Sequence, residues 1–301
     1  MYIHKESESF EAKIFKLILL VINRRKKIEK VIKNKKFPSE PAAIPRFIIN
    51  NFNVKNTFFQ DRNFWTIQPK NISTEKIVIY IHGGAYIANM SYFHWSLIAK
   101  LAKKSNATFI IPNYETAPFA GYFEAHHLIQ GIYLEVLKNS ISENIVIMGD
   151  SAGGGFSLSF AMSLRDDDLP QPSQIILLAP WLDISLSNPN IAALEKKDKM
   201  LSVSGIKMAG KLFAKEMSTV DHRLSPVYGN VQNLGKISLF AGTHDILFAD
   251  ILKLKNKLEE DKIEFNYYEY PKMFHVWMAI VNLPESQTAI KQISDLINSQ
   301  E

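Results

Sequence analysis

The chain has 301 residues, of which 47% are hydrophobic, 22% are charged and none is cysteine. This composition is typical of a globular protein with a large core, and it excludes disulfides and thiolate nucleophiles. Residues 1–40 hold 11 Lys or Arg against 5 Asp or Glu, so the formal net charge of +5 arises in that segment, and a nucleic-acid-binding surface over the whole fold is not expected.

The N-terminal segment contains the apolar run IFKLILLVI at 14–22. Lys16 interrupts the run, which is shorter than the roughly 20 residues that span a bilayer. Its basic cluster RRKK follows the run, whereas a secretory signal has its charge first. Apolar residues recur there at helical spacing and predict a basic amphipathic helix that continues to about Lys36. These residues are Phe10, Ile14, Leu17, Ile18 and Val21.

We expect this helix to pack on its own domain, with four side chains buried against a second helix at about 207–217: Ile14, Leu17, Ile18 and Val21. A weak contact of residues 24–27 with a membrane surface is the alternative, because basic amphipathic helices bind anionic lipids. The expected location is the cytoplasm, peripheral at the membrane in the second case. We expect no nucleic acid partner, and a homodimer is left open.

Downstream of a Pro-rich linker at 38–45, strand and helix patterns alternate. Two early strands are expected within 47–68, in RFIINNFNV and NFWTI. Later strands are expected at 77–82, 108–114, 145–148, 175–180, 237–242 and 264–270, and helices at about 92–104, 123–138, 249–261 and 285–298, with another directly after Ser151. This alternation predicts a mainly parallel sheet covered on both faces. Residues 184–230 break the rhythm and are predicted to be an insertion near the carboxyl ends of the strands, where ligands bind.

The stretch IVIMGDSAGGG at 145–155 places a serine between a buried strand and a helix. Gly149 and Gly153 are small enough to let strand and helix approach closely, so that a strained turn can hold Ser151 outward. This context is typical of a nucleophile elbow. The alternative is a glycine-lined turn in which Ser151 is only the N-cap of the helix.

A serine nucleophile needs a base, and the base follows the serine in chains that carry it on a strand-to-helix turn. Three histidines follow Ser151: His222, His244 and His275. His222 lies in the predicted insertion, away from the strand ends. His244 is adjacent to Asp245, and neighbouring side chains at a strand end are expected to point apart. His275, in the loop YPKMFHVW after a strand, is therefore the predicted base.

The base in turn needs a carboxylate that orients it. Asp245 directly follows the strand ISLFAG, from where a side chain can reach a loop histidine. Asp183, in APWLDIS, also follows a strand and is the main rival, whereas Asp250 is expected to be a favourable charge in the first turn of a helix. We predict Asp245 as the acid.

The stretch IHGGAYI at 81–87 ends a strand before a long helix. Two glycines there can turn backbone N–H groups toward a cleft, which is what an oxyanion hole requires. Alone, the stretch reads as a glycine turn. Because the same chain also contains the serine turn at Ser151, we interpret the stretch as part of an oxyanion hole.

These stretches resemble the hormone-sensitive-lipase-like branch of the α/β-hydrolases, mostly carboxylesterases, over roughly residues 75–280. HGGAY is similar to the HGGG(W/F/Y) motif of that family, GDSAGG matches its nucleophile elbow, and NYETAP at 113–118 is similar to its DYRLAP. PWLDIS, RLSP, GTHDILFAD and FHVW lie where related stretches lie.

The resemblance implies an α/β-hydrolase fold in which Ser151 is the nucleophile, Asp245 the acid and His275 the base. It also implies cap helices in residues 1–45 and a hydrolase domain in 46–301 with a cap insertion at about 184–225. The implied oxyanion hole is formed by Gly83, Gly84, Ala85 and Ala152.

The sequence departs from the family pattern at several positions. Ala85 replaces a third glycine, which puts esters of bulky tertiary alcohols in doubt, and Asn113 and Glu115 stand where Asp and Arg are usual. Val276-Trp277 replaces a small residue and phenylalanine. The aromatic candidates for a substrate pocket are Tyr86, Trp181, Phe213 and Trp277.

The expected function is that of a serine carboxylesterase, lipase-like, which cleaves small to medium acyl or aryl esters through an acyl-enzyme. No metal-binding spacing occurs, so neither a metal nor a cofactor is expected. An arylformamidase-type amidohydrolase remains an alternative, because such enzymes share the HGG and GxSxG elements. A ligand-binding homologue is disfavoured, because relatives of that kind have lost the histidine.

Overall fold

The computed structural model describes residues 1–38 and 43–299. Its strands are β1 (Tyr2–Ile3), β2 (Phe52–Phe59), β3 (Arg62–Pro69), β4 (Ile77–Ile81), β5 (Thr108–Pro112), β6 (Ile145–Asp150), β7 (Gln174–Leu178), β8 (Lys236–Gly242) and β9 (Phe265–Tyr270). Its α-helices are α1 (Phe10–Val21), α2 (Lys27–Lys33), α3 (Arg46–Asn51), α4 (Tyr92–Ser105), α5 (Tyr122–Leu137), α6 (Ser151–Asp166), α7 (Ile191–Glu195), α8 (Val203–Ala214), α9 (Phe248–Glu260) and α10 (Pro284–Asn298).

The strands form one sheet in the order β1-β9-β8-β7-β6-β4-β5-β3-β2. β3 is antiparallel to both β2 and β5, and the remaining pairs are parallel. The predicted fold, a mainly parallel sheet with an antiparallel edge, is therefore confirmed. The carboxyl ends of β4, β6, β8 and β9 meet at one edge of the sheet, as parallel pairing requires.

Side chains of the central strands alternate between two apolar cores, as the pleat of a strand requires. In β4, Val78 and Tyr80 lie in the core that includes α4 and α10, whereas Ile79 and Ile81 lie in the core that includes α5, α6 and α8. Helix α9 packs with α6 and β8 in a third cluster on the latter face. Because both faces are covered, β6 and β7 are buried along their whole length and read as apolar runs in the sequence.

The first of the two early strands was predicted wrongly at its start. RFIINN forms α3, and β2 begins only at Phe52. The Pro45 carbonyl accepts the N–H groups of Ile48 and Ile49, so a helical turn starts at the proline. Ile48 is buried and Ile49 is 54% exposed. Six residues were too few for the apolar pattern to distinguish helix from strand.

The predicted continuous helix from Phe10 to about Lys36 is also wrong, because two helices occupy this segment. Helix α1 ends at Val21, and Asn23 adopts a φ of 50° before a short 3₁₀ helix leads into α2. Asparagine tolerates this left-handed conformation better than most residues. Strand β1 was not predicted, since two residues carry no pattern. Of the predicted linker at 38–45, residues 39–42 lie outside the described residues.

The N-terminal helices contact the body differently from the prediction. Helix α1 turns Ala12 and Leu19 inward, and its Phe15 ring stacks on Phe274 with centroids 5.2 Å apart. Helix α2, and not α1, packs on α8, where the Glu29 carboxylate accepts a hydrogen bond from the Ser202 hydroxyl. No helix in residues 1–38 or 43–299 combines the length and the apolarity needed to cross a membrane.

The expected burial of one side of α1 against residues 207–217 is therefore wrong. The four side chains concerned are 43–78% exposed: Ile14, Leu17, Ile18 and Val21. The physical reason is that α1 carries two apolar sides, and the smaller one, which includes Ala12 and Leu19, faces the body.

Candidate active site

Ser151 lies at the turn between β6 and α6 with a φ of 52°. For a residue other than glycine this conformation costs about 1–2 kcal/mol, and the surrounding structure maintains it. At Gly153, an added Cβ would lie 1.9 Å from the Ile81 carbonyl oxygen, so only glycine lets α6 approach β4 this closely. The turn thus has the geometry of the predicted nucleophile elbow.

The His275 imidazole lies between the other two predicted residues of the triad. Its Nε2 is 2.8 Å from Oγ of Ser151, and its Nδ1 is 2.7 Å from Oδ2 of Asp245. Oδ1 of Asp245 accepts the N–H of Leu247 at 2.9 Å, which holds the carboxylate in place. Ser151 is 8% exposed, and His275 and Asp245 are more deeply buried. This continuous hydrogen-bonded chain is the arrangement that general-base activation of a serine requires.

The carboxylates around His275 increase its basicity. Burial by itself lowers the pKa of an imidazole, because it disfavours the cation. The charge and hydrogen bond of Asp245, with weaker contributions from Asp198 and Asp150, more than offset burial and raise the pKa of His275 above its ordinary value of 6.5.

The rival residues are not part of this chain of hydrogen bonds. The Asp183 carboxylate accepts hydrogen bonds from the hydroxyls of Ser185, Ser187 and Tyr228. The His222 side chain is 50% exposed and lies beside Asp221. The structure therefore brings together the three residues predicted for the triad, whereas Asp183 and His222 have other partners.

Backbone N–H groups near Ser151 are available to stabilise an oxyanion. Gly84 and Ala85 have φ values of 123° and 54°, conformations that turn the backbone away from the extended strand β4. Among the described residues, no acceptor lies on the N–H of Gly84, Ala85 or Ala152. Gly83 was expected to shape this loop, and its own N–H donates to Oδ1 of Asp150 at 2.9 Å.

Asp150, which directly precedes the serine, was given no role by the sequence. Its carboxylate accepts the Tyr80 hydroxyl at 2.6 Å as well as the Gly83 N–H, and its Oδ2 lies 3.3 Å from Nε2 of His94. Burial raises the pKa of this carboxyl, but His94, Tyr80 and Gly83 together lower it to about 2. Asp150 thus joins the elbow to the HGGAY loop. The sequence could have indicated this role, because Asp150 is the only charged residue in the apolar strand IVIMGD.

Three of the four predicted pocket aromatics lie together. The rings of Tyr86 and Phe213 stack at 3.8 Å, and Trp181 lies 5.7 Å from Tyr86. The Tyr86 hydroxyl donates to the Ala152 carbonyl at 2.8 Å, which links the HGGAY loop to the start of α6. Trp277 lies on the other face of the sheet in contact with Tyr270, apart from these rings.

Other features of the described residues do not form part of this site. A cleft of about 620 Å³ lies at the β2–β3 edge, where Phe58, Arg62 and Trp65 line it, away from Ser151. No three His, Asp or Glu side chains within residues 1–38 and 43–299 group together as metal ligands would.

Comparisons with known proteins agree with this geometry. A family model for the alpha/beta hydrolase fold matches residues 78–279. The chain is 30% identical to the putative acetyl-hydrolase LipR of Mycobacterium tuberculosis over 234 residues, which cover 75% of this chain and 74% of LipR. It is 26% identical to an esterase of Acinetobacter venetianus, over 75% of this chain and 76% of that protein.

Solved structures give the same result. The crystal structure of a putative esterase from Staphylococcus aureus superposes with a TM-score of 0.82 and 28% identity, over 90% of both chains. The matched region contains HGGAY, GDSAGG, Asp245 and His275. The chain therefore belongs to the α/β-hydrolase fold family, in its hormone-sensitive-lipase-like carboxylesterase branch.

Proposed function

We propose that this carboxylesterase cleaves small to medium acyl or aryl esters with Ser151, His275 and Asp245 as its catalytic triad. The observation that carries the proposal is the pair of hydrogen bonds through which His275 joins Ser151 at 2.8 Å and Asp245 at 2.7 Å. The names of the relatives, which include acetyl-hydrolase and esterase, support esters as the substrate class.

In the acylation step, Oγ of Ser151 attacks the ester carbonyl carbon while Nε2 of His275 takes the hydroxyl proton. The N–H groups of Gly84, Ala85 and Ala152 then bind the oxyanion of the tetrahedral intermediate. When the intermediate collapses, the alcohol leaves with the proton from His275, and the acyl group stays on Ser151. Water repeats the sequence, releases the acid and restores the serine hydroxyl.

Asp245 acts on His275 and not on the substrate. Because its Oδ2 is bonded to Nδ1, it keeps the proton of the neutral imidazole on that nitrogen and leaves Nε2 free to accept from Ser151. Its charge also stabilises the imidazolium that forms in each step, which agrees with the direction in which it shifts the pKa of His275.

A fluorophosphonate probe tests the nucleophile directly, since it reacts with activated serines. We expect one modified residue, Ser151, when the labelled protein is digested and mapped, and no labelling of a Ser151→Ala variant. Turnover of a matched panel of esters and formanilides then identifies the substrate class. Faster hydrolysis of the formanilides than of the esters would favour an arylformamidase activity and contradict our proposal.

We propose that the cap of this site consists of α1, α2 and the insertion at about 184–225. Phe213 of α8 supports this, because it stacks on Tyr86 of the HGGAY loop. The contact of α2 with α8 joins the N-terminal part of the cap to the inserted part.

We also propose that the outward side of α1 contacts an anionic lipid surface. At about 100° per residue, Leu17 and Val21 lie nearly opposite the inward residues Ala12 and Leu19. Leu17 is 60% and Val21 78% exposed. An apolar side directed at solvent over three helical turns is typical of a docking surface.

Charge favours lipid over a second copy of the chain as the occupant of this surface. Among residues 1–38 the exposed acidic residues are Glu6 and Glu11, whereas the exposed basic residues are Lys5, Lys13, Lys26, Lys27, Lys30, Lys33, Lys35 and Lys36. Two copies would bring these like charges together, whereas anionic headgroups attract them by about 1 kcal/mol for each residue near the surface.

Vesicle sedimentation tests the contact. We expect the protein to bind phosphatidylglycerol vesicles more strongly than phosphatidylcholine vesicles, and added salt to weaken the binding. Leu17→Gln/Val21→Gln should abolish it, whereas the control Phe58→Gln/Ile141→Gln, which replaces two equally exposed residues, should not. If the Leu17/Val21 variant instead converts a dimer into a monomer and no vesicle binds, the surface is an interface between copies.

A further inference from the structure

Asp198 is a buried carboxylate that belongs to the insertion and lies between α7 and α8. It is 0% exposed. Its Oδ1 accepts the N–H groups of Met200 at 2.6 Å and Leu201 at 2.9 Å, both within the insertion. Its Oδ2 accepts the N–H of Ile246 at 2.9 Å, 48 residues further along the chain. One carboxylate therefore joins the insertion to the loop that carries Asp245.

The loop after β8 is held by two aspartates in succession. Asp198 binds the N–H of Ile246, and Asp245 itself binds the N–H of Leu247 through Oδ1. The second oxygen of Asp245 is then directed to Nδ1 of His275. Because Ile246 directly follows Asp245, a shift of its N–H by about 1 Å would misalign the carboxylate with the imidazole, and such shifts cost up to about 100-fold in rate.

Two carboxylates, Asp198 and Asp245, are buried near each other, and this placement of two negative charges does not favour folding. Burial and the nearby charge of Asp245 raise the pKa of Asp198 to about 6, which means that its ionised form is destabilised where it lies. Arg24, from the 3₁₀ helix that precedes α2, provides a nearby positive charge. Its Nη1 is buried and has no hydrogen-bond partner among the described residues. Parts of both proposed cap segments therefore meet at this carboxylate.

We infer that Asp198 is a positioning residue: by binding the N–H of Ile246, it holds Asp245 in hydrogen-bonding position for His275. The alignment of the triad therefore depends on how the insertion packs on the loop after β8. The inference rests on the proposed triad. It goes beyond that triad, because the position of Asp245 would then depend on Asp198, a residue outside both the triad and the sequence motifs.

The test measures the pH dependence of Ser151 phosphonylation by a fluorophosphonate, which needs no ester turnover. The carboxylates whose charge raises the pKa of His275 are Asp245, Asp198 and Asp150. Asp198→Asn removes one of these charges, so the acid limb of the rate profile should move to lower pH by up to about one unit. Asparagine offers one acceptor oxygen to the three backbone N–H groups that Asp198 binds, so Ile246 should be held less firmly and the plateau rate should fall about 10-fold.

Two further variants separate charge, position and stability. Asp198→Glu keeps the charge but displaces the carboxylate by one methylene, so we expect a lower plateau with an unmoved acid limb. Asp183→Asn is the matched control, since Asp183 is also 0% exposed and its hydroxyl partners, such as Ser185 and Tyr228, lie outside the proposed triad. It should lower the melting temperature without moving the acid limb.

The outcomes can be told apart. If wild-type Ser151 is not labelled, the proposed function itself is wrong. If it is labelled, and Asp198→Asn and Asp183→Asn change only the melting temperature, Asp198 is purely structural and the inference is wrong. If Asp198→Asn does not fold, the plateau rate of Ser151 phosphonylation is compared between Asp198→Glu and wild type. Equal rates would contradict the inference.

Discussion

The triad edge of the sheet and the N-terminal segment are held to the protein in contrasting ways. At the edge, the proposed acid and base each have two buried hydrogen-bond partners: Asp245 binds His275 and the N–H of Leu247, and His275 also binds Ser151. The N-terminal segment is held by separate contacts along its length, such as the Ser9 hydroxyl on the Glu285 carboxylate at 2.9 Å and the Phe15 ring on Phe274. Between its anchors, the segment exposes most of its apolar side chains.

The difference indicates how the two regions tolerate change. A side chain at the edge cannot move without breaking several buried hydrogen bonds, so alterations there should reduce catalysis steeply. The outward side of α1 is exposed to solvent, so alterations there should leave the chemistry intact. The inward side of α1 differs, because its Phe15 stacks on Phe274, which directly precedes His275.

The largest effect should come from the nucleophile. Ser151→Ala removes the covalent route, and we expect kcat/KM for a p-nitrophenyl ester to fall by about 10⁵-fold or more. A circular dichroism spectrum like that of wild type serves as the control for folding. Activity within 10-fold of wild type in a folded variant would show that Ser151 is not the nucleophile.

The two buried aspartates that follow strands should differ sharply. Asp245→Asn should lower kcat by about 10³-fold, because an amide in place of the carboxylate favours the wrong imidazole tautomer. Asp183→Asn, which changes a carboxylate bonded only to hydroxyl and backbone groups, should reduce stability and leave kcat within about 3-fold. Steady-state kinetics of both variants decides the matter, and the reverse ranking would mean that the acid is misassigned.

The pH dependence should report the raised pKa of His275. The imidazole must be neutral to accept the serine proton, and its pKa lies above 6.5. We therefore expect kcat/KM to fall as the pH drops, with half of the maximum reached above pH 6.5. A profile of kcat/KM between pH 5 and 9 measures this. An acid limb centred below pH 6 would show that the neighbouring carboxylates do not dominate over burial.

The smallest effect should come from the contact between α1 and the loop that carries His275. Phe15→Ala removes the ring that stacks on Phe274 and should destabilise the protein by about 1–2 kcal/mol, with a few-fold loss in kcat. The control Phe10→Ala changes a residue of the same helix that is 73% exposed and should alter neither quantity. Thermal unfolding and kcat are the readouts, and identical behaviour of the two variants would mean that α1 is independent of the His275 loop.

The sequence was sufficient to predict the sheet and the proximity of the three side chains proposed as the triad. Ser151, Asp245 and His275 each follow a strand, and parallel strands bring their carboxyl ends to one edge. Asp198 was missed because the donors that it binds are backbone N–H groups, which leave no pattern in the residue types. Asp150 was missed because its partners Tyr80, Gly83 and His94 lie more than 50 positions away in the chain.

Periodicity also could not predict which side of α1 faces the body. It identifies residues that share a side, but α1 has apolar residues on both sides: the inward one includes Ala12 and Leu19, and the outward one includes Leu17 and Val21. Which side faces the body depends on the contact of Phe15 with Phe274, a residue more than 250 positions further along the chain.

Strand β1 has a consequence for the order in which the protein is assembled. Tyr2 and Ile3 pair with Tyr268 and Glu269, so β1 can join the sheet only after the residues of β9 have left the ribosome. Contacts between such distant parts of a chain form late. Until then α1 has neither Phe274 nor Glu285 to bind, and the nascent chain carries an unanchored apolar helix. This interval is when the protein should depend most on chaperones.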